Sequence, residues 1–138
     1  MSRQLPPPPA RVLEVGSGGG WLALELARCG YDVLGVEPEA EAVALARCVA
    51  AGEPRRPAYL CAAIEDRPPE PLDAAVFHLS LHHVRDLAGT LRKLAGALRP
   101  GGRLVCVECP SLPRLRPPSW PNPGWRNSAS TSCTGTKR

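Results

Sequence analysis

The chain is 138 residues long, 43% hydrophobic and 22% charged, the profile of one small globular domain, which excludes wholesale disorder. Its formal net charge of +4 is unevenly held: residues 1–109 carry 12 Lys+Arg against 13 Asp+Glu, while residues 110–138 carry five basic residues and no acid. The folded body therefore has no basic excess with which to bind nucleic acid, and no apolar run reaches the roughly 18 residues of a membrane span.

The first ten residues, with Pro6 to Pro9, form a proline-rich segment without the apolar stretch of a signal peptide, and a cytoplasmic protein is expected. Arg11 to Val15 is a short strand, ended by Gly16-Ser17-Gly18-Gly19-Gly20. Trp21 to Cys29 takes helical spacing, with Leu22, Leu26 and Cys29 on one face and Gly30 as its stop. Asp32 to Glu37 is a second strand. Pro38 opens a helix with the stripe Ala42, Leu45, Ala46 and Val49, closed by Gly52.

Ala58 to Ala63 reads as a third strand, followed by a loop too rich in proline to be a full helix. Asp73 to Leu79 is a fourth strand. From Asp86 a helix carries Leu87, Leu91, Leu94 and Leu98 inward, and Pro100-Gly101-Gly102 turns the chain into a last strand, Arg103 to Glu108. Apolar strands alternating with helices predict an α/β, mainly parallel sheet, with a domain over 11–109. Residues 110–138, rich in Pro, Ser, Thr and Arg, are expected to be a disordered tail.

The six cysteines, at 29, 48, 61, 106, 109 and 133, fall mostly in apolar segments and are expected as small buried side chains in a reducing compartment. Cys106 and Cys109 have zinc-knuckle spacing but no second pair and no ligand-spaced histidine nearby, so no metal is expected.

The chemistry concentrates at the first loop. A run of glycines between a strand and a helix lets a ligand approach backbone and outward-pointing N–H groups, although a glycine-rich turn alone would look the same. The dinucleotide fingerprint requires glycine where this chain has Trp21, and a phosphate-binding Gly-Lys-Ser/Thr is absent. Glu14, two residues before the first glycine, would repel a pyrophosphate and suits a cationic ligand. Glu37, at the end of the second strand, can accept hydrogen bonds from both hydroxyls of a ribose, or serve as an acid at a helix N-terminus.

Val12 to Gly20, with Val36-Glu37-Pro38 and Leu98 to Leu104, resembles the class I S-adenosylmethionine-dependent methyltransferases. Within them the chain is similar to the type-11 group, which includes ubiquinone/menaquinone-biosynthesis C-methyltransferases. The resemblance implies a Rossmann-like sheet of order 3-2-1-4-5, S-adenosyl-L-methionine as cofactor and a small-molecule methyl acceptor. It implies that Glu14, Gly16, Ser17, Gly18 and Gly20 surround the methionine end, that Glu37 holds the ribose and that Pro38 lies beside the adenine. Ala63, Ile64 and Glu65 would line the adenine; the family often has an acid in place of Ala63, so backbone or Glu65 would supply that contact.

Ser80, His82 and His83 would form the opposite wall of the crevice, at the switch point between strands one and four. Either histidine could orient an acceptor or take its proton, or cap the following helix; His78, inside the strand, reads as packed. The family continues past strand five with a helix and two strands that this sequence does not supply. A methyltransferase shortened after strand five is one reading, and a non-catalytic cofactor-binding or partner-binding module is the other. In both, the edge of the fifth strand is expected to favour self-association.

Overall fold

A computed structural model describes residues 2–66 and 71–108. Short apolar runs build strands β1 (Arg11–Val15), β2 (Asp32–Glu37), β3 (Ala58–Cys61), β4 (Leu72–His78) and β5 (Leu98–Val107). Helices α1 (Trp21–Arg28), α2 (Ala40–Ala50) and α3 (Leu87–Ala97) connect them, with 3-10 turns at Ser2–Gln4 and Leu81–His83. The sheet runs β3-β2-β1-β4-β5 and every neighbouring pair is parallel, the Rossmann-like order expected. β1 lies at its centre, and the reversal of strand order beside it opens a crevice at the strands' C-terminal ends.

The two faces of β1 divide the core. Val12 packs with Ala23, Leu24, Leu26, Ala27, Val43 and Ala46, so α1 and α2 cover one face. Leu13 and Val15 pack with Phe77, Leu94 and Ala97, so α3 covers the other. The proline-rich start is part of this body: Leu5 and Ala10 are buried in the first cluster, Tyr31 Oη donates to the Pro6 carbonyl at 3.0 Å, and Arg103 donates to the Gln4 carbonyl.

The buried helix faces overlap the expected ones only in part. α1 buries Ala23, Leu24, Leu26 and Ala27, leaving Leu22 half-buried and Cys29 exposed. α2 buries Val43, Ala46 and Ala50 while Leu45 is 53% exposed. α3 buries Thr90, Leu94 and Ala97, with Leu87 exposed. One residue of slip is about 100° of rotation, so Leu26, Ala46 and Leu94 meet the core as expected while Cys29, Leu45 and Leu87 turn outward.

Cys29, Cys48, Cys61 and Cys106 are all exposed free thiols rather than core side chains, because apolar neighbours in sequence do not fix which way a side chain points. His78 is likewise exposed, not packed.

β3 ends at Cys61, two residues before the expected end. The Pro100-Gly101-Gly102 turn falls inside β5: Leu98 pairs with Leu72 but the next partners are Arg103 and Ala74, so the turn is a bulge, with Gly101 at φ +81°. Among the described residues no helix is long and apolar enough to cross a membrane. The expected tail over 110–138, with Cys109 and Cys133, lies outside the described residues.

Candidate functional site

The loop after β1 is bent back by β2. The backbone N–H groups of Gly16 and Ser17 both donate to the Val36 carbonyl, at 2.8 and 3.2 Å, and Gly20 N closes the turn on the Ser17 carbonyl. Two of its glycines are sterically required. Gly16 has φ +70° and lies so close to the β4 side that an added Cβ would stand 2.6 Å from Ser80 Cβ. At Gly20, φ is +77° and a Cβ would meet Tyr59 Oη at 2.4 Å; that hydroxyl donates to the Gly20 carbonyl at 3.0 Å.

β2 delivers Glu37 to the same place. One carboxylate oxygen accepts from Gly18 N at 2.9 Å and the other from Glu39 N at 3.0 Å, so Glu37 ties the glycine loop to the start of α2. Across the loop, the buried Ser80 hydroxyl donates to the Val15 carbonyl at 2.5 Å, binding the β4 exit to β1.

Between these walls lies a cavity of about 690 Å³, within the size range of small-ligand sites. Gly16, Glu37 and Pro38 line one side, Ala63, Ile64 and Glu65 the floor of another, and Ser80 and His83 the facing wall. Glu65 also accepts from Arg85 N at 2.9 Å and from Asp86 N at 3.5 Å, joining the β3 exit to the start of α3. Those backbone donors, with its own N–H, hold its carboxyl below the usual range.

The structure brings eight of the expected site residues onto one cavity and leaves five off its lining. Ser17, Gly18 and Gly20 shape the loop from behind, and Gly18 reaches the site through its N–H bond to Glu37. Glu14 is 3% exposed beneath the loop, with one carboxylate oxygen unpartnered. Its carboxyl is pushed up to about 8, by burial first and by the nearby Glu37 charge last, against a bond from the Ala23 backbone. Burial thus favours the protonated form of this carboxyl, and Glu14 stands beneath the loop rather than on the cavity lining. His82 points away from the cavity, its Nδ1 3.2 Å from Glu108 Oε2.

Val15, Val36, Glu39, Leu79, Val84 and Arg85 also line the cavity. The first three adjoin expected residues, and Val84 and Arg85 follow His83 directly, so proximity in sequence was their available signal. Leu79 precedes Ser80 and shared that signal, but its backbone was not foreseen: it has φ +57°, the one described non-glycine residue with positive φ, and it is 46% exposed at the cavity.

Comparison with known proteins gives this geometry a context. Residues 13–106 match the family described as a methyltransferase domain. The chain is 38% identical over 107 residues to a ubiquinone biosynthesis O-methyltransferase of Xylella fastidiosa, covering 75% of this chain and 44% of that protein. It is 34% identical over 114 residues to an uncharacterised methyltransferase of Mycobacterium bovis, covering 83% and 57%. The crystal structure of an S-adenosylmethionine-dependent methyltransferase from Mesorhizobium loti superposes with a TM-score of 0.68 at 31% identity, covering 76% of this chain and 50% of that one. The chain spans less than half the length of the ubiquinone-biosynthesis relatives it matches. The matched span runs from the middle of β1 to the end of β5 and takes in the glycine loop, Glu37 and the β4 exit; the chain belongs to the methyltransferase-domain family.

Proposed function

We propose that this chain holds S-adenosyl-L-methionine in the crevice and directs its methyl group to a small-molecule acceptor. The observation that carries the reading is Glu37, fixed by two backbone N–H groups at the C-terminal end of β2 and lining the cavity beside the glycine loop. Each of its oxygens accepts one bond and keeps lone-pair capacity for a ribose hydroxyl. Pro38, Ala63 and Ile64 offer apolar surface for an adenine, and Gly16 leaves the wall open where a side chain would fill it. When bound, the cofactor supplies a sulfonium methyl for in-line displacement, so positioning and exclusion of water are the protein's main tasks. His83, on the facing wall, is the residue best placed to orient an acceptor or accept its proton. His82, engaged with Glu108, supports the loop instead.

Calorimetric titration with S-adenosylmethionine, S-adenosylhomocysteine and NAD tests this. Both adenosyl ligands are expected to bind, and Glu37→Ala to weaken them by about tenfold to a hundredfold, the worth of hydrogen bonds to a charged group. Heat with NAD alone would overturn the assignment. The names of the relatives, O-methyltransferases of ubiquinone biosynthesis, favour a small biosynthetic acceptor methylated on oxygen. Because the chain spans under half of those relatives, a non-catalytic module is the second reading: binding without methyl transfer to any acceptor would select it.

A further inference from the structure

We propose that Glu108 is a positioning residue that clamps the β4 exit, holding Leu79, Ser80 and His83 as one wall of the cavity. The inference rests on the cofactor-binding reading of that cavity. It concerns a residue beyond the span, 13–106, that matches the family.

The wall begins where β4 ends. Leu79 takes the left-handed backbone conformation that a side chain disfavours, so something must hold it there. Its N–H donates to the Val107 carbonyl at 2.7 Å, the last rung between β4 and β5. One residue on, the Glu108 carboxylate reaches back across the same gap. Oε1 accepts from Leu81 N at 2.7 Å, and Oε2 lies 3.2 Å from His82 Nδ1. The Leu81 and Ser80 backbone donors and His82 all favour the ionised carboxylate, and they hold its carboxyl below the usual range.

The other end of the wall is fixed independently. Ser80 Oγ bonds the Val15 carbonyl, and His83 N bonds the Ser80 carbonyl at 3.0 Å. The short turn Leu81–His83 is thus tied to β1 on one side and to β5 on the other. Of the contacts from the β5 side, the one to Leu81 is made by a side-chain acceptor. Releasing it leaves Leu79 held by the Val107 rung alone, so that the turn loosens and shifts both Ser80, against Gly16, and His83 from the cavity.

The test uses the full chain with Glu108→Ala, Glu108→Asp and Glu108→Gln, read by amide hydrogen exchange, melting temperature and titration with S-adenosylhomocysteine. Glu108→Ala is expected to lower protection at Leu81 N by about tenfold or more and to weaken ligand binding by about tenfold. Glu108→Gln keeps an acceptor at the same reach and is expected to restore both to within about threefold. Glu108→Asp, one methylene shorter, should fall between them and carries the test if the alanine variant fails to fold. Unchanged protection at Leu81 in Glu108→Ala or Glu108→Asp would overturn the clamp, as would a glutamine variant no better than alanine. Lost protection with unchanged affinity would overturn its role in positioning the cavity wall. A wild-type chain that ignores the ligand overturns the cofactor reading instead, and the exchange data still decide the clamp.

Discussion

Glu14 sets the most distinctive electrostatic feature at the residue scale. Its folded-state value of about 8 lies above the ordinary 4.5, so the native state binds a proton that the unfolded chain releases between those two values. The linkage sign follows: the stabilisation from this proton is complete below about pH 4.5 and is lost as pH rises toward and through 8. Glu14→Gln keeps the shape and the acceptor for Ala23 N but removes the ionisation. The variant is expected to be more stable than the wild type at pH 8, with a flatter profile between pH 5 and 8 in urea titrations. Each pKa unit corresponds to about 1.4 kcal/mol as an upper bound. Equal stability curves for the two proteins would show that Glu14 is ionised or solvated in the native state. The same residue marks the reach of sequence reading. An acid two places before a glycine loop is visible in the sequence, but whether it faces a ligand or the underside of a helix depends on the alternation of β1, which sends Val12 and Glu14 toward α1.

At the scale of elements, α3 shows how local chemistry fixes a boundary that periodicity leaves loose. Asp86 is its N-cap, accepting from Gly89 N at 2.9 Å, and the approach is so close that a Cβ on Gly89 would collide with the cap carboxylate. Glu65 adds a second acceptor for the N–H groups of Arg85 and Asp86, so the start of α3 and the cavity share a support. Asp86→Ala is expected to cost about 1 kcal/mol in urea denaturation, the usual worth of such a cap; no loss would mean that Glu65 alone holds the turn. The order of the elements and most of their starts were legible because glycine, proline and aspartate punctuate them, but β5 begins at Leu98 rather than Arg103. The helix phases were legible only in part: Leu26, Ala46 and Leu94 are buried as expected, but neighbouring alanines compete with leucines for the same face and only packing against the sheet selects between them. The bulge at Gly101 was hidden for the same reason: a Pro-Gly-Gly turn before a strand and inside one read alike.

For the whole molecule, the alternation of strands and helices was enough for a parallel α/β sheet and the family resemblance supplied its strand order, whereas the packing of Leu5 and Tyr31 against it depends on a long-range closure that no local pattern announces. Among the described residues the sheet has two edges, β3 and β5. Among the described residues β5 is a terminal strand, with no neighbour beyond it. Val105 is buried toward α1 while Leu104 is 42% exposed and Cys106 is exposed on the opposite face, which α3 covers only as far as β4. An outer strand with free backbone groups and uncovered apolar side chains is a template for another chain. The chain is therefore expected to self-associate through β5, and sedimentation at increasing concentration should show a rising average mass. Leu104→Lys places a charge on that face, where the side chain is already half in water, so it should shift the distribution toward monomer with little change in melting temperature. The cavity lies at the C-terminal ends of the same sheet, so ligand titrations of both proteins should be made at matched concentrations. A wild-type chain that stays monomeric throughout would show that β5 is covered from within the chain. A Leu104→Lys variant that associates as strongly as wild type would place the contact on another surface.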